Sequence, residues 1–405
     1  MNSFEVHIPT HIFFGKEKKA AFFDAVSLRS KQLLLVIGGG SVSKTGYLDE
    51  VLAELADRDI KVTLFEGIEP NPVALTIDKA AQLGLEKGVD AVLAFGGGSV
   101  MDASKAIAGL IHDRENEIWP FVLGEPRYKT MRGALPVAAI PTTAATASEV
   151  TPHAVISNPS VKGKSPVSYP FFKPFASWLN PAFHTSIPAE TTRDGASDIF
   201  SHVIENYLLG GNDSPLADRY SEGVMETVIE TLPLAIAEPG NEAYRGRLLW
   251  ASTMALNTMQ VAGRVPSVFI LHNLEHALSG YNHQLAHGRG LAILYPAYFK
   301  WLMERDRAVD RLALLGERLF GLDRKNDDET AAEFIAMFEQ WLQENGLCHS
   351  LTDVDIPEEA FDEIAAYAIR VYGVGKPLNA CGEMTASDIT EIFRMTLSQG
   401  QGEPD

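Results

Sequence analysis

Between His272 and His287 (HNLEHALSGYNHQLAH) stand four of the chain's eleven histidines. His272 and His276 are four residues apart, so on a helix they share one face, one turn above the other. Gly280-Tyr281-Asn282 then breaks the helix, and His287 returns just before Gly288, where backbone can pack closely. Upstream, Asp198 and His202 in DGASDIFSHVIE repeat the four-residue spacing. Three imidazoles and one carboxylate form a sensible coordination shell for a divalent transition metal. Taken singly, an Asp/His pair at this spacing reads as a surface hydrogen bond. Here Asp198 lies among Ala196, Ile199 and Phe200, and His272 among Ile270, Leu271 and Leu274, so both head for an apolar interior. Burying them there unpartnered costs on the order of several kcal/mol, and a shared metal supplies the partner.

The elements that must position such a site change texture along the chain. In the first third, strand and helix patterns alternate. Apolar runs at Leu33–Ile37, Ile60–Phe65, Ala91–Phe95 and Val137–Ile140 predict buried strands, and helical spacing predicts helices near Leu48–Leu55, Val73–Leu85 and Val100–Ile111. Strands separated by such helices form a doubly wound parallel sheet, whose ligands bind at the strands' carboxyl ends. Two glycine clusters fall at that end: Gly38-Gly39-Gly40-Ser41 and Gly96-Gly97-Gly98-Ser99. The second leads straight into a helix, where bare N–H groups and the helix dipole favour a phosphate. It reads equally as a tight turn with Ser99 as N-cap and Asp102 completing a capping box. Asn71, between Pro70 and Pro72, belongs to the same rim or is a rigid turn. The loop Pro141–Thr151 carries hydroxyls at Thr142, Thr143 and Thr146 that suit ribose and phosphate oxygens, or local backbone bonding.

From about Ile187 long helical patterns take over, including Ala217–Ile236, Arg245–Val261, Met303–Phe320, Ala331–Asn345, Pro357–Val371 and Ala386–Leu397. The expected organisation is an α/β dinucleotide-binding domain over 1–184 and an all-helical metal-binding domain over 185–405, with a cleft bringing their ligands together. A length of 405 residues and 46% hydrophobic composition suit two cores. A net charge of −19 argues against nucleic acid or an anionic membrane as partner. Two cysteines, Cys348 and Cys381, offer no disulfide framework and suit a reducing compartment. The first residues show no basic segment followed by an apolar one, and no run nears the ~18 apolar residues that span a bilayer, so a cytoplasmic protein is expected. The acidic tail after Ser398 (QGQGEPD) is expected to fray.

Five motifs in order carry a resemblance to a known family. They are EPNP at Glu69–Pro72, GGGSVMDASKAIA at Gly96–Ala108, PTTAATASEVTP at Pro141–Pro152, DGASDIFSHVIE at Asp194–Glu205 and the histidine stretch. Over nearly its whole length the chain resembles the iron-containing (group III) alcohol dehydrogenases, particularly their NADP-dependent aldehyde reductase and butanol dehydrogenase branch. The resemblance implies a dehydroquinate synthase-like dinucleotide fold and Asp198, His202, His272 and His287 as ligands of Fe(II), alternatively Zn(II). It implies that Gly97, Gly98, Ser99 and Asp102 hold the pyrophosphate, with Thr142, Thr143 and Thr146 further along. Lys164 matches a basic residue near the cleft. His276 matches a histidine beside the nicotinamide that is not a ligand. It also implies a homodimer. The chain departs from the pattern at Ala145 and Ala147, where glycines are usual, and at Asn180, where aspartate is usual.

The implied chemistry is reversible hydride transfer between a nicotinamide and a small aldehyde or primary alcohol, with His276 relaying the proton. In NAD-using relatives an aspartate commonly follows the first strand of the sheet. Here Gly38–Lys44 contains no carboxylate, two serines and a lysine, so NADP(H) is expected, with NAD(H) the alternative. A competing reading is a dehydroquinate synthase-like or glycerol-1-phosphate dehydrogenase-like enzyme acting on a phosphorylated substrate, which needs several lysines and arginines to hold it. Arg193, Arg264 and Arg289 are the candidates, in mostly apolar company. A metal-binding protein without catalysis leaves the glycine loops without a purpose.

Overall fold

The computed structural model describes residues 1–211, 213–265 and 269–398; the tail 399–405 lies outside them. The chain forms two compact units, one of residues 8–187 with 239–253, the other of residues 1–7, 188–238 and 254–405.

The first unit is built on a parallel sheet. Its elements run β1 (His11–Phe14), α1 (Lys19–Ser27), β2 (Gln32–Gly38), the single turn α2 (Ser41–Lys44), α3 (Tyr47–Ala56), β3 (Lys61–Ile68), α4 (Ala74–Lys87), β4 (Ala91–Gly96), α5 (Gly98–Asp113) and β5 (Val137–Pro141). A hairpin, β6 (His153–Asn158) and β7 (Gly163–Ser168), and a last strand, β8 (Ala176–Leu179), complete it. Six strands pair in the order β1-β8-β5-β4-β2-β3, all parallel. Alternate residues of each central strand feed two separate cores. Leu34, Val36, Val92, Ala94 and Ala139 pack with Ile77, Ile107 and Leu110, while Leu33, Leu35, Ile37, Leu93 and Ile140 pack with Phe22, Val51 and Leu55. Burial on both faces is why these strands read as unbroken apolar runs. The four predicted strands and three predicted helices are present. β1, β8 and the hairpin lie outside the predicted elements, because four-residue strands and a hairpin carrying Pro166 and Lys164 give little periodic signal.

The second unit is helical. It holds α6 (Ala189–Leu209), α7 (Pro215–Ala237), the end of α8 (Glu242–Ala255), α9 (Ile270–Tyr281), α10 (His287–Glu304), α11 (Val309–Phe320), α12 (Asp327–Glu344), α13 (Phe361–Tyr372) and α14 (Ala386–Met395), with a small β9–β10 ribbon (Leu378–Asn379, Glu383–Met384). One predicted helix is two. The pattern over Met303–Phe320 breaks between α10 and α11, where Asp306 (φ 53°) and Ala308 (φ 54°) turn left-handed. No glycine or proline marks that break, so periodicity ran through it. The predicted Arg245–Val261 helix ends at Ala255, followed by a 3-10 turn at Met259–Val261. Among the described residues no helix is long and apolar enough to cross a membrane.

His184, just after β8, is buried, and its Nε2–H donates to the carbonyl of Pro141 at the end of β5, 3.1 Å away. Burial brings its pKa down from 6.5 to about 4, and Arg245 adds to that against the pull of the Pro141 carbonyl. The unfolded chain therefore takes up a proton as pH falls through 6.5, which the folded chain refuses until about 4. Stability present at neutral pH is lost across that window, on the order of 3 kcal/mol. His184→Gln, which keeps the donor and cannot titrate, should flatten this part of the acid dependence of the urea midpoint relative to wild type.

Candidate active site

Four side chains from three helices meet inside the helical unit. Asp198 and His202 sit one turn apart on α6, His272 in the first turn of α9, and His287 is the first residue of α10. The close approach of α10 to α6 depends on Gly288, where a Cβ would lie 1.8 Å from the carbonyl oxygen of Asp194. With that contact made, His287 reaches the face of α6 that carries Asp198. The Nε2 atoms of His202, His272 and His287 each lie 3.5 Å from the same oxygen, Asp198 Oδ1. Ligands about 2.1 Å from a tetrahedral ion stand about 3.4 Å apart, so the spacing is that of a coordination shell. Asp198 Oδ1 and His272 Nε2 are buried and have no hydrogen-bond partner among the described residues. These residues fit a divalent cation of the zinc or ferrous class.

Two further carboxylates, neither singled out from the sequence, aim the imidazoles. Glu205 accepts from His272 Nδ1, from the Leu271 N–H at 2.6 Å and from the Ser201 hydroxyl at 3.0 Å. Glu275 accepts from His287 Nδ1. Both are fully buried. An Nδ1 proton held by a carboxylate leaves the Nε2 lone pair for a metal and makes it more basic. The signal was present: Glu205 follows His202 by three residues and Glu275 follows His272 by three, each on the buried face of its helix. Burial pushes the Asp198 carboxyl up, but His202, His287 and His272 outweigh it and hold it well below the usual carboxylate range.

His276 lies one turn beyond His272, buried, with its ring stacked on that of His287 at 5.2 Å. Phe269 stands edge-on to His272 at 5.2 Å and Tyr372 lies 6.1 Å from His276, so aromatic surface borders the cluster. The nearby arginines are already paired. Arg289 Nε meets Asp194 at 2.9 Å, Arg193 meets Glu190 at 2.5 Å and Arg264 meets Asp218 at 2.5 Å.

The α/β unit collects the second set of residues at the carboxyl ends of β2, β4 and β5. Gly97 is the N-cap of α5, no side chain caps it, and Gly98 and Ser99 open the helix. The capping box is therefore not formed. Ser99 Oγ instead accepts from the N–H of Asn71 at 3.2 Å, where Asn71 is left-handed at φ 54°. Asp102 turns inward and accepts from Ser148 Oγ at 2.5 Å and the Val155 N–H at 2.8 Å. A Cβ on Gly97 would lie 2.8 Å from Thr143 Oγ1, and one on Gly98 would lie 2.5 Å from Thr146 Cγ2, so turn and threonine loop touch. Thr142 N–H donates to the Gly96 carbonyl at 3.0 Å. An uncapped helix N-terminus behind glycines fits a phosphate. Gly38, Gly39, Gly40 and Ser41 stand beside it at the end of β2, Gly39 and Ser41 exposed. Lys164 is buried on β7, and its charge lowers the pKa of Asp102 against the larger effect of burial.

Beneath the threonine loop Lys105 donates to Ser148 Oγ (2.7 Å), Thr151 Oγ1 (3.2 Å) and the His153 carbonyl (2.8 Å). Burial brings its pKa down to about 8, opposed by Asp102 and Glu149. Ala147, at one of the positions where glycine is usual, is left-handed at φ 51°, a conformation that costs an L residue about 1–2 kcal/mol.

Comparisons with known proteins identify relatives over nearly the whole chain. The family model for iron-containing alcohol dehydrogenase matches residues 9–181, and that for the C-terminal part of the Fe-containing alcohol dehydrogenase family matches 192–397. The chain is 33% identical to NADH-dependent butanol dehydrogenase B of Clostridium acetobutylicum, over 98% of this chain and 100% of that protein. It is 36% identical to the NADPH-dependent aldehyde reductase YqhD of Escherichia coli, over 87% and 89%. The crystal structure of NADH-dependent butanol dehydrogenase A from Thermotoga maritima superposes with a TM-score of 0.91 at 30% identity, covering 98% and 99% of the two chains.

The carboxylate behind each imidazole gives a direct test. Glu205→Gln should lower metal affinity about 10–100-fold, and His272→Ala should abolish stoichiometric binding, as read by metal analysis after dialysis against a graded chelator. Circular dichroism checks that the helices remain. Unchanged metal retention in both variants would remove His272 from the site.

Proposed function

This chain belongs to the iron-containing alcohol dehydrogenase family, and from that premise we propose how its own residues perform metal-dependent interconversion of alcohols and aldehydes with a nicotinamide cofactor. The observation that carries the proposal is the set of three imidazole nitrogens, each 3.5 Å from one buried oxygen of Asp198. Asp198, His202, His272 and His287 would hold a divalent cation, which would supply Lewis acidity toward a carbonyl oxygen, and a bound nicotinamide would supply or accept the hydride. Fe(II) is the ion we propose, with Zn(II) able to use the same N/O donor set.

The chain's own groups do the rest. Asp198 contributes the one anionic ligand, and Glu205 and Glu275 hold the Nδ1 protons of His272 and His287 so that both rings present Nε2. Phe269 and Tyr372 offer apolar surface beside the cluster, which suits short aliphatic aldehydes and primary alcohols. Gly97, Gly98 and Ser99 at the head of α5 would hold the pyrophosphate, with Thr142, Thr143 and Thr146 on the adjoining loop, which Asp102 braces through Ser148. His276 holds a proton at its imidazole and delivers it to the oxygen of the reduced substrate, or takes it in the oxidative direction. Per turnover, aldehyde, NAD(P)H and one proton become alcohol and NAD(P)+.

The phosphorylated-substrate alternative is not favoured, because Arg193, Arg264 and Arg289 are each neutralised by a carboxylate. The loop Gly38–Lys44 has no acidic residue of its own, so the choice between NAD(H) and NADP(H) falls to the groups that neighbouring elements bring to it. Homodimerisation is our reading for assembly, supported by the exposed apolar side chains Phe4, Val6 and Ile8, alternating along the N-terminal segment. A cytoplasmic setting suits a chain in which no disulfide joins Cys348 and Cys381.

Metal-loaded protein should consume NADPH or NADH with butanal, lose that activity to a chelator and regain it with Fe(II) or Zn(II). Absence of turnover after reconstitution would sink the proposal. His276→Ala should retain its metal and lose kcat by about 10²–10⁴-fold, whereas His272→Ala loses both metal and rate. Metal loss in the first variant with retention in the second would reverse the roles assigned to the two histidines.

A further inference from the structure

We propose that Glu66 sets the choice of nicotinamide cofactor and selects a dinucleotide with a free 2′-hydroxyl, NAD(H), over one with a 2′-phosphate; this rests on the dehydrogenase reading above. The loop after β2 contains no acidic residue, but the fold brings one to it from the neighbouring strand. Glu66 lies near the carboxyl end of β3, paired with Ile37 of β2. The register then slips, so that Gly38 pairs with Ile68, and the extra residue is Gly67 at φ 110°. Such a bulge bends the strand end and re-aims the side chains beside it. Glu66 Oε1 comes to 3.3 Å from the point where a Cβ on Gly40 would stand, while nothing lies within 4 Å of that point on Gly39. The carboxylate therefore lies against the turn at Gly40, and the space beside Gly39 is open. Glu66 is exposed, and no packing demand accounts for its position.

The order of the strands says what would occupy that space. β4, β2 and β3 are adjacent and parallel, so their carboxyl ends form one rim. Neighbouring strands are about 4.8 Å apart. A dinucleotide whose pyrophosphate sits at the head of α5, after β4, thus carries its adenosine ribose to the ends of β2 and β3. In dinucleotide folds an acidic side chain on the strand next to the glycine turn accepts from the ribose hydroxyls and repels a 2′-phosphate. Glu66 stands one strand further out, on β3, and reaches the turn after β2 through its contact at Gly40. Lys44, the only cation of the turn, stands at the far end of α2, four residues beyond Gly40, whereas the carboxylate is in contact with the turn itself. The expectation of NADP(H) counted only the charges of the loop, and a like charge from β3 changes that sum.

Binding of NADH, NADPH, 5′-AMP and adenosine 2′,5′-bisphosphate to the full-length protein, by calorimetry and nicotinamide fluorescence, tests this without turnover. Wild type should bind NADH about tenfold or more tightly than NADPH. Glu66→Ser should close that gap by about tenfold or more, chiefly through tighter NADPH and adenosine 2′,5′-bisphosphate, and Glu66→Asp should preserve it. Glu66→Gln, isosteric and uncharged, should relieve the repulsion of the 2′-phosphate while keeping NADH affinity within about threefold. A wild type that prefers NADPH, or a ratio unmoved in both Glu66→Ser and Glu66→Gln, overturns the role of Glu66 while leaving the dehydrogenase reading intact. Failure of every nucleotide to bind overturns both.

Discussion

A carboxylate placed out of reach of water must have its charge answered within a few ångströms, and in the helical unit the placement of α6, α9 and α10 follows from that demand. Asp198 is buried on α6, with imidazoles from all three helices turned toward one of its oxygens. Behind them Glu205 and Glu275 add two more buried carboxylates. Three carboxylates against three neutral imidazoles leave a net negative interior that only a cation or bound protons can balance. At His272 burial lowers the pKa, but Glu205 and Asp198 outweigh it and raise it to about 10. On the proposed reading a divalent ion would answer the same charge, and its binding would release protons from the cluster.

In the α/β unit the head of α5 is left uncapped, which suits the proposed anion site. The first turn of α5 has no side-chain cap, and the groups that could have closed it are engaged elsewhere. Ser99 is taken by the backbone of Asn71, and Asp102 by Ser148 and Val155. Lys105 then donates three hydrogen bonds, the full complement of an ammonium group, to atoms at Ser148, Thr151 and His153. This buried network ties the threonine loop to the hairpin β6–β7. The threonine hydroxyls are thereby carried on a rigid base, which suits a loop meant to contact a ligand without reorganising.

Much of this was legible in the sequence because it is written along single elements. Apolar runs and 3.6-residue spacing report how one strand or one helix is buried, so the central strands β2–β5, the flanking helices α3–α5 and most of the helical half were readable. The four-residue spacing of Asp198 with His202 reports a shared helix face in the same way. The left-handed break between α10 and α11 and the four-residue strands β1 and β8 escaped, since neither leaves a periodic mark.

What the tertiary structure decided is the set of contacts between elements that spacing cannot encode. His287 joins Asp198 because Gly288 lets two helix backbones touch. Glu205 and Glu275 look in sequence like ordinary helical acids, and only the packing of α6, α9 and α10 shows that each lies against an imidazole. The chain determined by itself which residue types were available for a metal, a phosphate and a hydride acceptor. The register of β3 on β2, slipped by one residue at Gly67, decided that a carboxylate faces the turn at Gly40, because side-chain direction at a bulge depends on the partner strand and not on the residues of the turn.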